Sequence, residues 1–199
     1  MVMNKEIEAK FASVNHDDVR ARLEKAGAHC EQPMRLMKRV VYHQKNDDDS
    51  FIRVRDEGDK VTLTYKHFHD VTSIDGVSEI ETTVGDFDTT VAIMDQTELL
   101  RETYQETKRE TWKLDDAEVV LDEWPWIDPF IEIEGPSEQA VRNAANALGF
   151  DWNEALFGGV ATVYLEKYKN MGDPADAALI INRRTPIIRF EDPVPELFK

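Results

Sequence analysis

Charged residues two apart recur along this chain. Glu6-Ile7-Glu8-Ala9-Lys10 puts two carboxylates and an ammonium on one side of an extended segment, with Ile7, Ala9 and Phe11 on the other. Arg53 and Arg55 oppose Ile52 and Val54, and Thr62, Thr64 and Lys66 oppose Val61, Leu63 and Tyr65. Glu79 and Glu81 flank Ile80, and Thr107, Arg109 and Thr111 share a face. Asp122 opposes Leu121, while Glu132 and Glu134 flank Ile133. Carboxylates are hard oxygen ligands, and arginines offer planar forks to oxyanions, so a convergence of the two types could hold both a cation and an anion. The pattern has two readings. A half-buried antiparallel strand shows a polar side to water, where cross-strand ion pairs add a little stability. Six strands carrying both signs in compact pairs argue instead for one shared charged surface. Periodicity alone leaves open whether that surface points outward or lines a closed barrel.

The elements that must position these groups are short and mostly extended. Glu6 to Phe11 reads as a strand, and Asn15 or Asp17 caps a helix through Val19, Leu23 and Ala26 that Gly27 ends. Strands follow at Arg39–His43, Phe51–Arg55 and Val61–Lys66, the last two joined by a Gly-containing hairpin turn at Glu57-Gly58-Asp59. Next come a strand from Val77 to Thr83, a helix from Asp86 to Leu100, and a strand around Tyr104 to Leu114. Val119–Asp122 and Phe130–Glu134 continue the alternation, interrupted by Trp124-Pro125-Trp126. Ser137 caps a helix closed by Gly149, whose Ala140, Ala144, Ala145 and Leu148 read as packing against the sheet, and Val160 to Tyr168 forms a last amphipathic piece. About eight strands with few helices define an α+β, mainly β chain: an antiparallel barrel or strongly curved sheet. The character changes after Asn170, so residues 1–170 read as one domain and 171–199 as an extension that packs back on it or on a partner.

Composition narrows the function. Over 199 residues, 24 Lys and Arg stand against 40 Asp and Glu, a net charge of −16. A chain this acidic has no broad basic footprint for a nucleic-acid backbone or for anionic lipid. No apolar run is long enough to span a bilayer, the N-terminus lacks the apolar core of a signal peptide, and the lone Cys30 has no disulfide partner. A reducing, cytoplasmic setting is the expectation.

The ordered motifs resemble those of the CYTH superfamily, the triphosphate tunnel metalloenzymes. Glu6-Ile7-Glu8-Ala9-Lys10 is similar to its opening E-x-E-x-K signature, Arg53-Val54-Arg55 to its arginine pair, and Thr64-Tyr65-Lys66 to its T-x-K. Glu79-Ile80-Glu81 resembles its middle acidic strand, Asp122 with Phe130-Ile131-Glu132-Ile133-Glu134 its D…F-x-E-I-E segment, and Thr162 to Lys167 its closing piece. The likeness spans about residues 3 to 168. It departs where the family often carries two basic residues one position apart: here Thr107 and Arg109 share the face, with Lys108 between them.

The resemblance implies an eight-stranded antiparallel closed barrel with flanking helices, its polar faces turned inward around a triphosphate. Arg53, Arg55, Lys66, Arg109, Lys10, Lys167 and Lys108 are then the candidates to neutralise the phosphates. Glu6, Glu8, Glu132 and Glu134 are candidates to hold Mg²⁺ or Mn²⁺, with Asp122, Glu79 and Glu81 completing the shell or orienting bound water. Glu6, Glu8, Lys10, Lys66 and Asp122 carry the catalytic expectation. The implied activity is a metal-dependent triphosphatase acting on inorganic, nucleoside or thiamine triphosphate. The alternatives are an adenylyl cyclase of class IV type, which needs a nucleoside pocket at one mouth, and a non-catalytic polyphosphate or nucleotide binder. The ligand is a small triphosphate, and family members are often homodimers.

Other signals are set aside. His67 and His69 project outward if Lys66 points inward. Asp47-Asp48-Asp49 lacks the Gly and distal Glu of a calcium loop, and Gly158-Gly159 has no following G-K-[ST]. Arg183-Arg184 reads as a solvated pair, and Cys30 as a residue in a loop after the first helix without nucleophile context. Trp124 and Trp126 either stack on a ring of the ligand or brace the barrel.

Overall fold

The computed structural model describes residues 3–198. Strand β1 (Asn4–Glu6) and strand β2 (Glu8–Phe11) are two halves of one extended segment, broken at Ile7. Helix α1 (His16–Lys25) follows, then β3 (His29–His43), β4 (Ser50–Asp56), β5 (Val61–Phe68) and β6 (Val77–Val84). After helix α2 (Phe87–Met94) come β7 (Leu100–Leu114), β8 (Ala117–Glu123), β9 (Phe130–Glu134) and helix α3 (Glu138–Ala147). The hydrogen-bonded order is β1-β6-β5-β4-β3-β7-β8-β9-β2, antiparallel throughout. Because β1 pairs with β6 while β2 pairs with β9, the break at Ile7 lets one segment join both ends of the sheet. The circuit is the expected barrel, nine strands if the halves are counted separately. Long β3 and β7, with bulges between Cys30 and Gln32, Gln32 and Arg35, and Val41 and Tyr42, supply the bend that closure demands.

The two-residue period decides which face is which. Ala9, Phe11, Trp112, Val119, Leu121, Ile131 and Ile133 point out of the barrel into a core with Val19 and Leu23 of α1 and Val141, Ala144 and Ala145 of α3. Each of these helices starts at a real cap: Asn15 accepts from the Asp17 and Asp18 amides, and Ser137 from that of Ala140. Helix α2 covers β3 and β4 through Val40, Tyr42, Val54 and Phe87. With the apolar parity claimed by the helices, the charged parity is forced inward.

Some boundaries differ from expectation. The helix expected to reach Leu100 ends at Met94, capped by Asp86 at its start, and β7 begins four residues before Tyr104. Cys30 lies exposed on β3 rather than in a loop, because pairing with Trp112 extends that strand back to His29. The closing piece is helix α4 (Ala161–Lys167). Beyond it the chain forms α5 (Pro174–Leu179), a π-helical turn Ile180–Arg184 and a short strand β10 (Ile187–Ile188). Strand β8 pairs only with Lys108–Leu114 of β7, so the other half of that edge is free, and β10 pairs with it in parallel at Tyr104 and Gln105. Phe198 ends the segment among Trp126, Tyr164 and Tyr168, 1% exposed.

Candidate functional site

The inward residues enclose a continuous cavity of about 870 Å³. Its wall divides by charge. Arg39 on β3, Arg53 and Arg55 on β4, Lys66 on β5 and Arg109 on β7 form one arc of neighbouring strands. Glu118 on β8, Glu132 and Glu134 on β9, Glu8 and Glu6 on β2 and β1, and Glu79 and Glu81 on β6 form the complementary arc. Lys10, 1% exposed, crosses this division: it donates to Glu8 and lies 3.6 Å from Glu132. Lys66 reaches Glu6 at 2.5 Å and Glu79 at 3.4 Å, and Arg109 bridges Asp122 at 2.5 Å and Glu132 at 2.7 Å.

These contacts set the protonation of the groups. Burial alone would neutralise Lys10, but Glu8 and Glu132 outweigh it and hold the ammonium firmly charged. Burial likewise works against the Glu132 carboxylate, yet Lys10 and Arg109 bring it down to about 2. Glu6 and Glu8 are pushed up, first by burial and then, against their lysines, by Glu79 and Glu132 respectively. Glu134 stands opposite Glu8 across the β2–β9 ladder and beside Glu118. The surrounding wall, then Glu8, Glu6 and Glu118, push it up to about 7 although it reaches solvent. The acidic arc is short of positive charge.

The basic arc is short of negative charge. Burial, then the neighbouring Arg55, draw Arg53 down to about 10, with Glu81 at 3.6 Å its nearest carboxylate. Arg39 has no carboxylate within ion-pair distance among the described residues; its guanidinium lies 4.2 Å from the Trp124 ring centroid, and its Nε is buried without a partner. Burial and the charges of Arg53, Arg55 and Arg109 push it well below the usual arginine range. Arg55 and Arg109 have close carboxylate partners, but Arg39 and Arg53 beside them are left without adequate counter-charge, an arrangement that asks for an anion.

The acidic arc fits a divalent cation. Its donors are all hard oxygens, three of its carboxylates are raised by burial and by carboxylates beside them, and Glu6 Oε2 is buried with no hydrogen-bond partner. Among the described residues no three acidic or imidazole groups are already converged as a metal cage. Glu8 and Glu6 are instead turned to Lys10 and Lys66, which they would exchange for the ion.

Most residues singled out in the sequence meet here: Glu6, Glu8, Lys10, Arg53, Arg55, Lys66, Glu79, Glu81, Arg109, Glu132 and Glu134 all line the cavity. Asp122, 1% exposed, has the inward parity of Glu118 but is covered by the Arg109 fork, so it fixes that arginine and does not line the open cavity. Lys108 and Lys167 do not belong to the cavity. Lys108 has the opposite parity to Arg109 and binds Glu123 at 3.0 Å; Lys167 is on α4, on Asp128 at 3.0 Å. Trp124 lines the bore, but Arg39 covers its ring and Tyr164 meets it edge-on, so it braces; Trp126 donates to the Asp192 carbonyl and packs on Phe198. Arg183 is no solvated residue: it donates to the Asp47 carbonyl at 2.9 Å, pairs with Asp48 and lines the cavity.

Sequence reading missed Arg39, Glu118 and Glu57, the last a partner of Arg55 at 2.5 Å. The signal for Arg39 was parity: Arg35, Met37, Arg39, Val41 and His43 alternate along β3 and all line the bore, but their mixed chemistry hid the pattern.

A closed antiparallel barrel with a bore divided into an acidic and a basic arc defines the class of protein. The chain belongs to the CYTH domain family, whose model matches residues 4–161. No curated protein matches the sequence significantly. Solved structures share the fold at low identity. The PH1012 protein of Pyrococcus horikoshii has a TM-score of 0.65 at 22% identity, covering 75% of this chain and 93% of its own. A candidate adenylate cyclase from Vibrio parahaemolyticus reaches 0.69 at 10% identity, covering 80% and 97%. Another, from Bacillus halodurans, reaches 0.55 at 19%, covering 76% and 93%.

Proposed function

We propose that this protein is a divalent-metal-dependent phosphohydrolase acting on a small triphosphate bound in the bore. The observation that carries the reading is the pairing of two unmet demands in one cavity: Arg39 and Arg53 without adequate counter-charge, and Glu6, Glu8 and Glu134 raised by burial and by neighbouring carboxylates. A triphosphate answers the first and Mg²⁺ or Mn²⁺ the second. Glu6, Glu8, Glu132 and Glu134 would hold the metal, which supplies charge neutralisation at the phosphoryl oxygens and activation of water. Arg53, Arg55 and Arg109 clamp the phosphates, and Lys66 and Lys10 spread positive charge between the two arcs. Asp122 holds the Arg109 fork in one orientation, and Glu57 does the same for Arg55. Hydrolysis asks only for water as nucleophile.

A second reading is a cyclase, in which a ribose hydroxyl attacks the inner phosphorus and pyrophosphate leaves. It is favoured by the room in the cavity beyond the arginines, since 870 Å³ exceeds what a bare triphosphate needs. The deciding experiment offers tripolyphosphate, ATP, GTP and thiamine triphosphate with Mg²⁺ or Mn²⁺ and assays phosphate and cyclic AMP together. Phosphate release supports the hydrolase; cyclic AMP with pyrophosphate from ATP overturns it in favour of the cyclase.

A further inference from the structure

One end of the cavity is chemically unlike the rest. His43, Phe51 and Phe68 are inward residues of the adjacent strands β3, β4 and β5, and their rings form a continuous wall, with centroids 6.1 Å apart for His43–Phe51 and 5.7 Å for Phe51–Phe68. Facing the same end, α5 and the π-helical turn contribute Ala178, Leu179 and Ile181. Phe51, Phe68, Ala178 and Leu179 are only half-buried, so apolar surface is left bare inside the protein, where an occupant would cover it. The polar groups here are few and placed: Arg183 is paired with Asp48, Gln105 donates to Asn182 Oδ1 at 3.1 Å, and His43 Nδ1 is buried with no hydrogen-bond partner. Burial, then Arg183, lower His43 to about 4, so its ring is a neutral one. The second wall is held firmly. Arg183 is tied to Asp47 and Asp48, Thr103 donates to the Thr185 carbonyl at 2.7 Å, and β10 pairs with β7. All of that wall lies beyond residue 161, where the family match stops.

We propose that this chamber, built by the C-terminal segment of this chain, receives a flat aromatic heterocycle, so that the ligand is an organic triphosphate of the nucleoside class and not bare tripolyphosphate. The inference rests on the triphosphate reading above. A largely apolar pocket with a few convergent polar groups suits a heterocycle, and its one guanidinium, Arg183, is already taken up by Asp47 and Asp48. Phe51 and Arg53 are successive inward positions of β4, about 6–7 Å apart along the strand, so ring and phosphates fit one ligand. The Gln105–Asn182 amides and His43 Nδ1 stand ready to meet the polar edge of a base.

The test is calorimetric binding, in Mg²⁺, of the β,γ-imido analogue of ATP and of imidotriphosphate to the full chain. The wild type is expected to bind the nucleotide at least tenfold more tightly. Ala178→Phe fills the chamber and Phe51→Ala removes its central ring; each should weaken the nucleotide at least tenfold and change imidotriphosphate less than twofold. Circular dichroism identifies a variant that has not folded, and the other then decides. Equal wild-type affinities, or proportional losses for both ligands in a folded variant, overturn the chamber while leaving the triphosphate reading intact. Failure of the wild type to bind either ligand overturns both.

Discussion

Arg39 shows how much a single side chain can reveal. A guanidinium buried beside three others, with no carboxylate within ion-pair distance, is best accommodated when an anion shares the space. Arg39→Met is therefore expected to weaken triphosphate binding at least tenfold, about 1.4 kcal/mol, while raising the thermal midpoint; calorimetry and a melting curve check the two signs. Arg55→Ala should act on substrate capture, raising KM with a smaller effect on kcat, and an unchanged KM would remove Arg55 from the phosphate clamp. Glu8→Gln and Glu134→Gln keep size and lose charge. Either should abolish metal-dependent turnover with an unaltered circular dichroism spectrum, and full activity in either would refute the metal assignment.

At the scale of elements, the barrel depends on helices that claim its outer face. Arg20 of α1 grips Glu110 of β7 through Nε at 2.9 Å and Nη2 at 3.0 Å, and Trp112 Nε1 donates to the same carboxylate at 2.6 Å. Burial would raise the Glu110 pKa, but these partners lower it overall. A carboxylate depressed in the folded state contributes stability that is present above its unfolded pKa, near 4.3, and is lost as pH falls through the lower folded value. Glu110→Gln should cost about 1–3 kcal/mol in urea unfolding at pH 7, with the gap from wild type closing on acidification below about pH 4. A gap independent of pH would mean that the ion pair is idle. The parity of β4, β5 and β9 was open to reading from sequence because their polar and apolar residues alternate strictly. That of β3 was not, since Met37, Val41 and His43 share the inward face with Arg35 and Arg39.

For the whole molecule, the segment beyond the family match is part of the architecture. Its Phe198 is buried against Trp126, Tyr164 and Tyr168, with Met171, Ile181 and Ile188 in the same core. Phe198→Ala should cost about 3–5 kcal/mol, read by urea unfolding; a loss under 1 kcal/mol would mean that the segment is a loose appendage. Nothing in the sequence of residues 171–199 announced a wall of the cavity, because its contacts are with strands some 80 residues away, such as Thr103 with Thr185.

Local chemistry was legible in the chain itself: which residues alternate, where the helices are capped, and that carboxylate pairs and arginine pairs recur in order. Alternation states only that two faces differ, and it is indifferent to which one meets water. That choice was made by tertiary structure, when α1, α2 and α3 covered the apolar parity and the break at Ile7 allowed the sheet to close. Closure then placed side chains from distant strands within a few ångströms of each other, excluded much of the water between them, and so turned scattered charges into a site with unmet electrostatic demands.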